Sequence, residues 1–177
     1  MAVRKPLPTL IVLSGLPGVG KTTVAHRLSA EIDAVHVRLD TIEAALTASG
    51  IVDLAGGWSA VPDAGYRVAY ALTLDHLTAG HSVVADSVNP LAITRQAWAK
   101  CAEAGRARLV NVEVICSDPA LHRKRVEART SDLEGLTVPT WLQVEERTYE
   151  CWDTPVLRID TAAGIDRAVR AIMSDLG

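Results

Sequence analysis

Residues 15–23 read GLPGVGKTT, and their types and spacing suit one task, the wrapping of a phosphate. Gly15, Gly18 and Gly20 let the backbone turn its N–H groups inward, with no Cβ standing between them and an anion's oxygens. Pro17, Val19 and Thr23 lie on the same loop. Lys21 has a stem long enough to reach the β- and γ-phosphates of a nucleotide, and the Thr22 hydroxyl is a natural Mg2+ ligand. The stretch satisfies G-x-x-x-x-G-K-[ST], which carries meaning only between a strand and a helix. Both are at hand: TLIVLS at 9–14 has the aliphatic run of a buried strand, and 20–32 puts Val24, Ala25, Leu28 and Ile32 on one helical face. The positive end of that helix points at the loop. A chance glycine-rich turn would explain neither flank.

Other polar residues stand at comparable places. Asp40 closes the alternating run AVHVRLD at 34–40 and opens DTIE, a capping-box pattern with Glu43 three residues on. Asp86 and Ser87 close HSVVAD at 81–86 and its exit. Arg125 and Arg129 fall one helical turn apart without an acid at four-residue spacing, whereas Arg123 has Glu127. Like charges so placed cost a helix a few tenths of a kcal/mol, a repulsion that a bound phosphate chain would relieve. A solvated basic face is the plainer alternative.

The elements that must position these residues alternate along the chain. Further strands are expected at 108–116 and 156–160, with helices from Pro62 to about 80, from Asn89-Pro90 to 105, over 118–129 and 140–151, and from about 164. A short helix follows Asp40, and 50–62 reads as loop. Asn111 and Glu113 are more polar than a sheet interior calls for. Strand–helix alternation means an α/β fold, a parallel sheet covered on both faces. Ligands of such sheets sit beyond the carboxyl ends of the strands. The phosphate loop, Asp40, Asp86-Ser87 and the region after Cys116 should therefore converge.

On GLPGVGKTT, VRLDTIEAAL, VVADSVNP and HRKRVEAR, the chain resembles the small P-loop kinases over nearly its whole length. It is most similar to the group that includes polynucleotide-kinase-type, gluconate-kinase-like, chloramphenicol-phosphotransferase-like and zeta-toxin-like proteins. The resemblance implies a three-layer αβα P-loop NTPase domain spanning 1–177, with five parallel strands ordered 2-3-1-4-5. It implies a helical lid near 123–142, pivoting on Gly135 in TSDLEGLTVP, and an acceptor-binding region near 41–80. The activity implied is transfer of the ATP γ-phosphate to a hydroxyl, with Mg2+. Asp40 then meets the acceptor hydroxyl, which it can orient and deprotonate while also capping its helix, since a carboxylate offers about four acceptor sites. Asp86 holds Mg2+ through water or orients the acceptor, as Ser87 can; otherwise it is a turn residue. Lys21, Arg125 and Arg129 brace the nucleotide as the lid closes. Trp58 and Trp141 read as packing, and Arg38 and Arg67 as surface pairs or contacts to an anionic acceptor.

Bulk properties narrow the choice. The formal charge is −3 and the longest basic tract is HRKR, which argues against long nucleic acid as a partner. Cys101, Cys116 and Cys151 match no metal or redox spacing. The apolar stretch after the N-terminus is too short for a signal peptide, and no segment is long enough to span a membrane, so a cytoplasmic protein is expected. A nucleotide or 5'-hydroxyl polynucleotide kinase is a second reading, although Asp86-Ser87 replaces the Asp-Arg pair typical of nucleoside monophosphate kinases. A non-catalytic ATP-binding regulator is a third. The guanine signature Asn-Lys-x-Asp is absent. Nothing in the pattern specifies the acceptor or an oligomeric state.

Overall fold

The structure, a computed structural model, describes residues 7–134 and 137–177. Five parallel strands form one sheet in the order β2-β3-β1-β4-β5. They are β1 (Thr9–Ser14), β2 (Val35–Arg38), β3 (Val83–Asp86), β4 (Arg108–Ile115) and β5 (Leu157–Asp160). Between them run α1 (Lys21–Ile32), α2 (Leu39–Ala48), α3 (Ile51–Leu54), α4 (Ala64–Thr78), α5 (Ala92–Ala104), α6 (Pro119–Glu127) and α7 (Trp141–Glu145). A 3₁₀ turn at Thr161–Ala163 and α8 (Ile165–Leu176) close the chain. Among the described residues, no helix is long and apolar enough to cross a membrane.

Strand pleating divides the core in two. In β1, Ile11 and Leu13 face one side with Leu28, Val112, Val169 and Ile172, residues carried by α1, β4 and α8. Leu10 and Val12 face the other with Ala69, Leu77, Trp98 and Ala102 from α4 and α5. A strand buried on both faces has no polar side to show, which is why TLIVLS reads as a continuous apolar run.

The register aligns the strand ends. Leu13 of β1 and Arg38 of β2 both pair with Asp86 of β3. The phosphate loop, the start of α2 and the exit of β3 therefore meet at one edge. Glu113 finds its reason across β4 and β5, where it is the register partner of Arg158 and accepts from Arg158 Nε at 2.7 Å. The buried Asn111 Oδ1 has no hydrogen-bond partner.

One capping expectation and one helix length are corrected. Asn89 does not cap α5, whose N-cap is Leu91. It is fully buried at φ +47°, donates from Nδ2 to Leu13 O at 3.0 Å and accepts from Trp98 Nε1 at 2.9 Å. An asparagine tolerates the left-handed region and carries both a donor and an acceptor, so it ties β1 to α5 from inside. Glu150 Oε2 instead accepts the Ala92 N–H at the helix start. The 140–151 helix is shorter than expected: α7 ends at Glu145, and Arg95 holds the following segment by donating to the carbonyls of Glu150 and Cys151 at 2.7 and 3.2 Å.

Candidate active site

The phosphate loop is held from outside by residues far along the chain. The Gly15 N–H donates to Val88 O at 3.1 Å, His122 Nε2 to Pro17 O at 2.8 Å, and Thr161 Oγ1 to Val19 O at 2.6 Å. Gly15 and Gly18 adopt φ +138° and +82°, and a Cβ on Gly15 would lie 2.2 Å from the Val114 carbonyl oxygen. The loop closes against β4 only because that position has no side chain. Lys21 is buried and donates from Nζ to Leu16 O at 3.0 Å. Burial pulls its pKa down to about 8, against the opposing pull of Asp86 and Asp40.

Asp86 sits next to Lys21 and Thr22, buried, with His36 Nε2 3.3 Å from its Oδ2. Burial pushes its carboxyl up, but the His36 contact, the Lys21 charge and the Thr22 hydroxyl more than offset this and hold it below the ordinary range. An ionised carboxylate beside a threonine hydroxyl is a hard oxygen donor set, which fits Mg2+. Ser87 is buried beside it, and its hydroxyl has no hydrogen-bond partner.

Asp40 is not a helix cap. The N-cap of α2 is Arg38, still extended at φ −98°, and the helix begins at Leu39. Asp40 therefore falls inside the first turn, where an acid is favoured by the helix dipole but cannot bond the free N–H groups as a cap does. Its carboxylate turns to the cleft, accepts from Arg129 Nη2 at 3.1 Å and has Arg38 Nη2 at 3.7 Å. The capping box fails with it. Glu43 extends toward α4, where a Cβ on Gly65 would stand 2.6 Å from its Cγ and 2.9 Å from its Oε1.

Arg125 and Arg129 do not share a task. Helix α6 ends at Glu127, so Arg129 leaves the helical path and crosses to Asp40. Arg125 stays on the helix and donates to Thr161 Oγ1 at 2.9 Å and Thr161 O at 3.2 Å. Arg38 binds Asp132 with both terminal nitrogens, at 2.5 and 2.8 Å, tying the segment after α6 to the end of β2. Gly135, the expected pivot, lies outside the described residues. Trp141 packs edge-on to His122 at 5.1 Å, and Arg67 pairs with Asp63 at 2.7 Å.

One cleft of about 1070 Å3 takes in Pro17, Gly18, Gly20, Lys21, Thr22 and Thr23, together with Asp40, Asp86, Ser87, Arg125 and Arg129. Gly15 and Val19 support the loop from behind without lining it, and Trp58 lies elsewhere. Glu43, Tyr66 and Arg147 also line this cleft and were not expected from sequence. Each sits on a helix or link whose approach depends on tertiary packing. His122 and Thr161, the outer supports of the loop, lie 105 and 142 residues from the carbonyls they hold.

A family profile described as an AAA domain matches residues 10–148. Comparison with curated proteins finds no match. Among solved structures, the chain is similar to the Mycobacterium tuberculosis APS kinase CysC in complex with AMPPNP and APS. That pair is 18% identical over 97% of this chain and 98% of the other, with a TM-score of 0.70. A gluconokinase from Sinorhizobium meliloti 1021 is 19% identical over 96% and 92%, with a TM-score of 0.63. Chaetomium thermophilum Kti12 in complex with ADP-AlF3 is 23% identical over 95% and 99%, with a TM-score of 0.58. At these identities the likeness is one of fold, a P-loop kinase-like α/β domain.

Proposed function

The chain belongs to the family of AAA domains, and from that premise we propose that it is a kinase moving the γ-phosphate of ATP to a hydroxyl of a small-molecule acceptor. The observation that carries this reading is the single cleft joining the Lys21 loop to the carboxylate of Asp40. A nucleotide-binding site alone needs the first and has no use for the second. The solved kinases of the same fold agree with it: one binds AMPPNP and APS, and another is a gluconokinase.

In this reading the loop amides and Lys21 hold the phosphates, and the ammonium charge is worth more in a buried site than in water. Thr22 and Asp86 would hold Mg2+, which supplies positive charge to the phosphate oxygens when bound. Asp40 accepts a hydrogen bond from the acceptor hydroxyl and takes its proton as the oxygen attacks. The new bond joins that oxygen to the γ-phosphorus. The bond from that phosphorus to the β–γ bridging oxygen breaks, and ADP leaves with the electron pair. Arg129 leaves Asp40 for the transferring group, and Arg125 steadies the 3₁₀ turn beside the nucleotide. The lid is the 123–142 segment and the acceptor wall comes from 41–80, within one domain.

A coupled ADP-release assay over an acceptor panel, with mass detection of the phosphorylated product, tests the proposal. It expects turnover that depends on one class of acceptor and vanishes in Lys21→Ala. ATP consumption indifferent to every acceptor would contradict it.

A further inference from the structure

Glu43 is a carboxyl without an ion-pair partner among the described residues, in the cleft and one helical turn from Asp40. It reaches α4 at the one place where Gly65 leaves room, its Cγ and Oε1 lying where any side chain would intrude. Tyr66, the next residue of α4, lines the same wall, and its phenol oxygen accepts the Asn89 N–H at 3.2 Å. The Ser87 hydroxyl stands near that phenol, buried, without a hydrogen bond of ordinary geometry. A buried hydroxyl left unpaired has given up its water without a replacement, so a polar group that fills this corner recovers that loss.

The charges around this corner cancel. Asp40 is met by Arg129 and Arg38, Asp132 by Arg38, and Asp63 by Arg67. What remains is Glu43, with Arg147 in the same cleft, near enough for its charge to act on Glu43, making no ion pair among the described residues. An anionic acceptor would meet cations already engaged by carboxylates, except for Arg147, whose charge acts on Glu43. A cationic one would find Glu43 opposed by Arg147. What the corner offers in number is hydrogen-bonding oxygen.

We propose that Glu43 is a specificity-determining, acceptor-binding residue that reads a second hydroxyl of an uncharged polyhydroxyl acceptor, next to the hydroxyl presented to Asp40. This rests on the kinase reading above and concerns the acceptor side only. Glu43 takes no proton or phosphoryl group in the transfer. With Tyr66 and Ser87 it fixes which hydroxyl of the acceptor reaches Asp40. Burial, with the Asp40 charge adding, pushes Glu43 up to about 7. The groups facing it are Asp40 on its own helix, Tyr66 on α4 and Arg147 beyond α7. Near neutral pH its carboxyl can thus donate as well as accept, as suits an uncharged hydroxyl.

The test uses the full chain with an ATP analogue present. Saturation-transfer NMR reads binding, and the coupled assay reads turnover. The probes are a set of uncharged polyols, their monodeoxy forms, and their amino and carboxylate analogues. The wild type is expected to bind and use polyols, and to lose about tenfold or more in affinity when one hydroxyl is removed. Glu43→Ala should erase that discrimination and raise the acceptor KM about tenfold with the ATP KM unchanged, Glu43→Gln should keep most of it, and Gly65→Ala should mimic Glu43→Ala by displacing the side chain. Preference for amino or carboxylate analogues, binding of no polyol, or a Glu43→Ala protein that still tells a polyol from its monodeoxy form would overturn the inference. Polyol binding lost in Glu43→Ala, but with no transfer in the wild type, would support the role of Glu43 and contradict the kinase reading instead.

Discussion

Arg129 donates to the Asp40 carboxylate at 3.1 Å, and Arg38 stands 3.7 Å from the same oxygen while binding Asp132 with both terminal nitrogens. The result is a chain of alternating charges, Arg129, Asp40, Arg38, Asp132, running from the end of α6 to the end of β2 and back to the segment after α6. Two of its members are on the proposed lid, and the other two are Asp40 and its neighbour Arg38. In the proposed reaction, lid position and the availability of Asp40 are therefore linked through the same guanidinium groups.

Breaking the outer pair should loosen the lid without unfolding the protein. Asp132 is exposed, and the Arg38 hydrogen bond holds its carboxyl down at about 2. The Arg38 side chain is largely buried but keeps Asp40 at 3.7 Å when Asp132 is lost, so with Asp132 at the solvent face the pair stabilises by roughly 1 kcal/mol. Asp132→Asn is expected to lower Tm by only a few degrees, to speed amide exchange in residues 129–134, and to raise acceptor-independent ATP hydrolysis as water enters. Unchanged exchange in that segment would show that the pair does not restrain it.

Glu43 gives stability a pH dependence of definite sign. Its pKa is raised from 4.5 to about 7 by burial, so the native state binds the proton more tightly than the unfolded chain. Its contribution is fully present below about 4.5 and is lost as pH rises through about 7. Glu43→Gln removes the titration and should gain on the order of 2 kcal/mol relative to wild type at pH 8, and much less at pH 4.5. Denaturant unfolding at the two pH values measures it; an equal difference at both would contradict the raised pKa.

Gly15→Ala should be damaging in a way that repacking cannot relieve. The new Cβ would lie 2.2 Å from the Val114 carbonyl oxygen, at a φ of +138°. The obstacle is backbone, so the loop must move. A destabilisation of about 2 kcal/mol or more is expected, together with loss of nucleotide affinity in the folded fraction. Calorimetric titration with ATP and thermal unfolding report the two effects separately.

Asn89→Ala leaves the Trp98 N–H and the Leu13 carbonyl unpaired inside the core. Each buried polar group so orphaned costs about 1–3 kcal/mol, so a total of about 3 kcal/mol is expected. Asn89→Gly, which eases the positive φ but restores neither bond, should be little better. A loss below about 1 kcal/mol in both would show that water takes over these contacts.

The contrast between Asn89 and Lys21 marks what a single sequence carries. The loop from Gly15 to Thr22 was legible because its chemistry needs contiguous residues, and the sheet because buried strands show as unbroken apolar runs between amphipathic helices. Asp40 and Asp86 were legible as positions at strand ends, whereas Asp40's partner was not, since Arg129 lies 89 residues away. The DTIE pattern misled because two residues of offset in the helix start turn a cap into a first-turn acid. Asn89-Pro90 misled in the same way: a local capping signal lost to two buried hydrogen bonds that only the packed fold supplies. Glu43 had no local signal beyond a capping role it does not have, because its surroundings come from α4 and the link after α7.

Asp40→Asn tests the central claim most directly. The amide keeps the shape of the carboxylate and most of its contacts but cannot take a proton or hold the charge facing Arg129. With an identified acceptor, single-turnover phosphoryl transfer should fall by about 10²–10⁴-fold while ATP affinity stays within about threefold of wild type. Transfer at the wild-type rate in Asp40→Asn, with ATP still bound, would contradict the account.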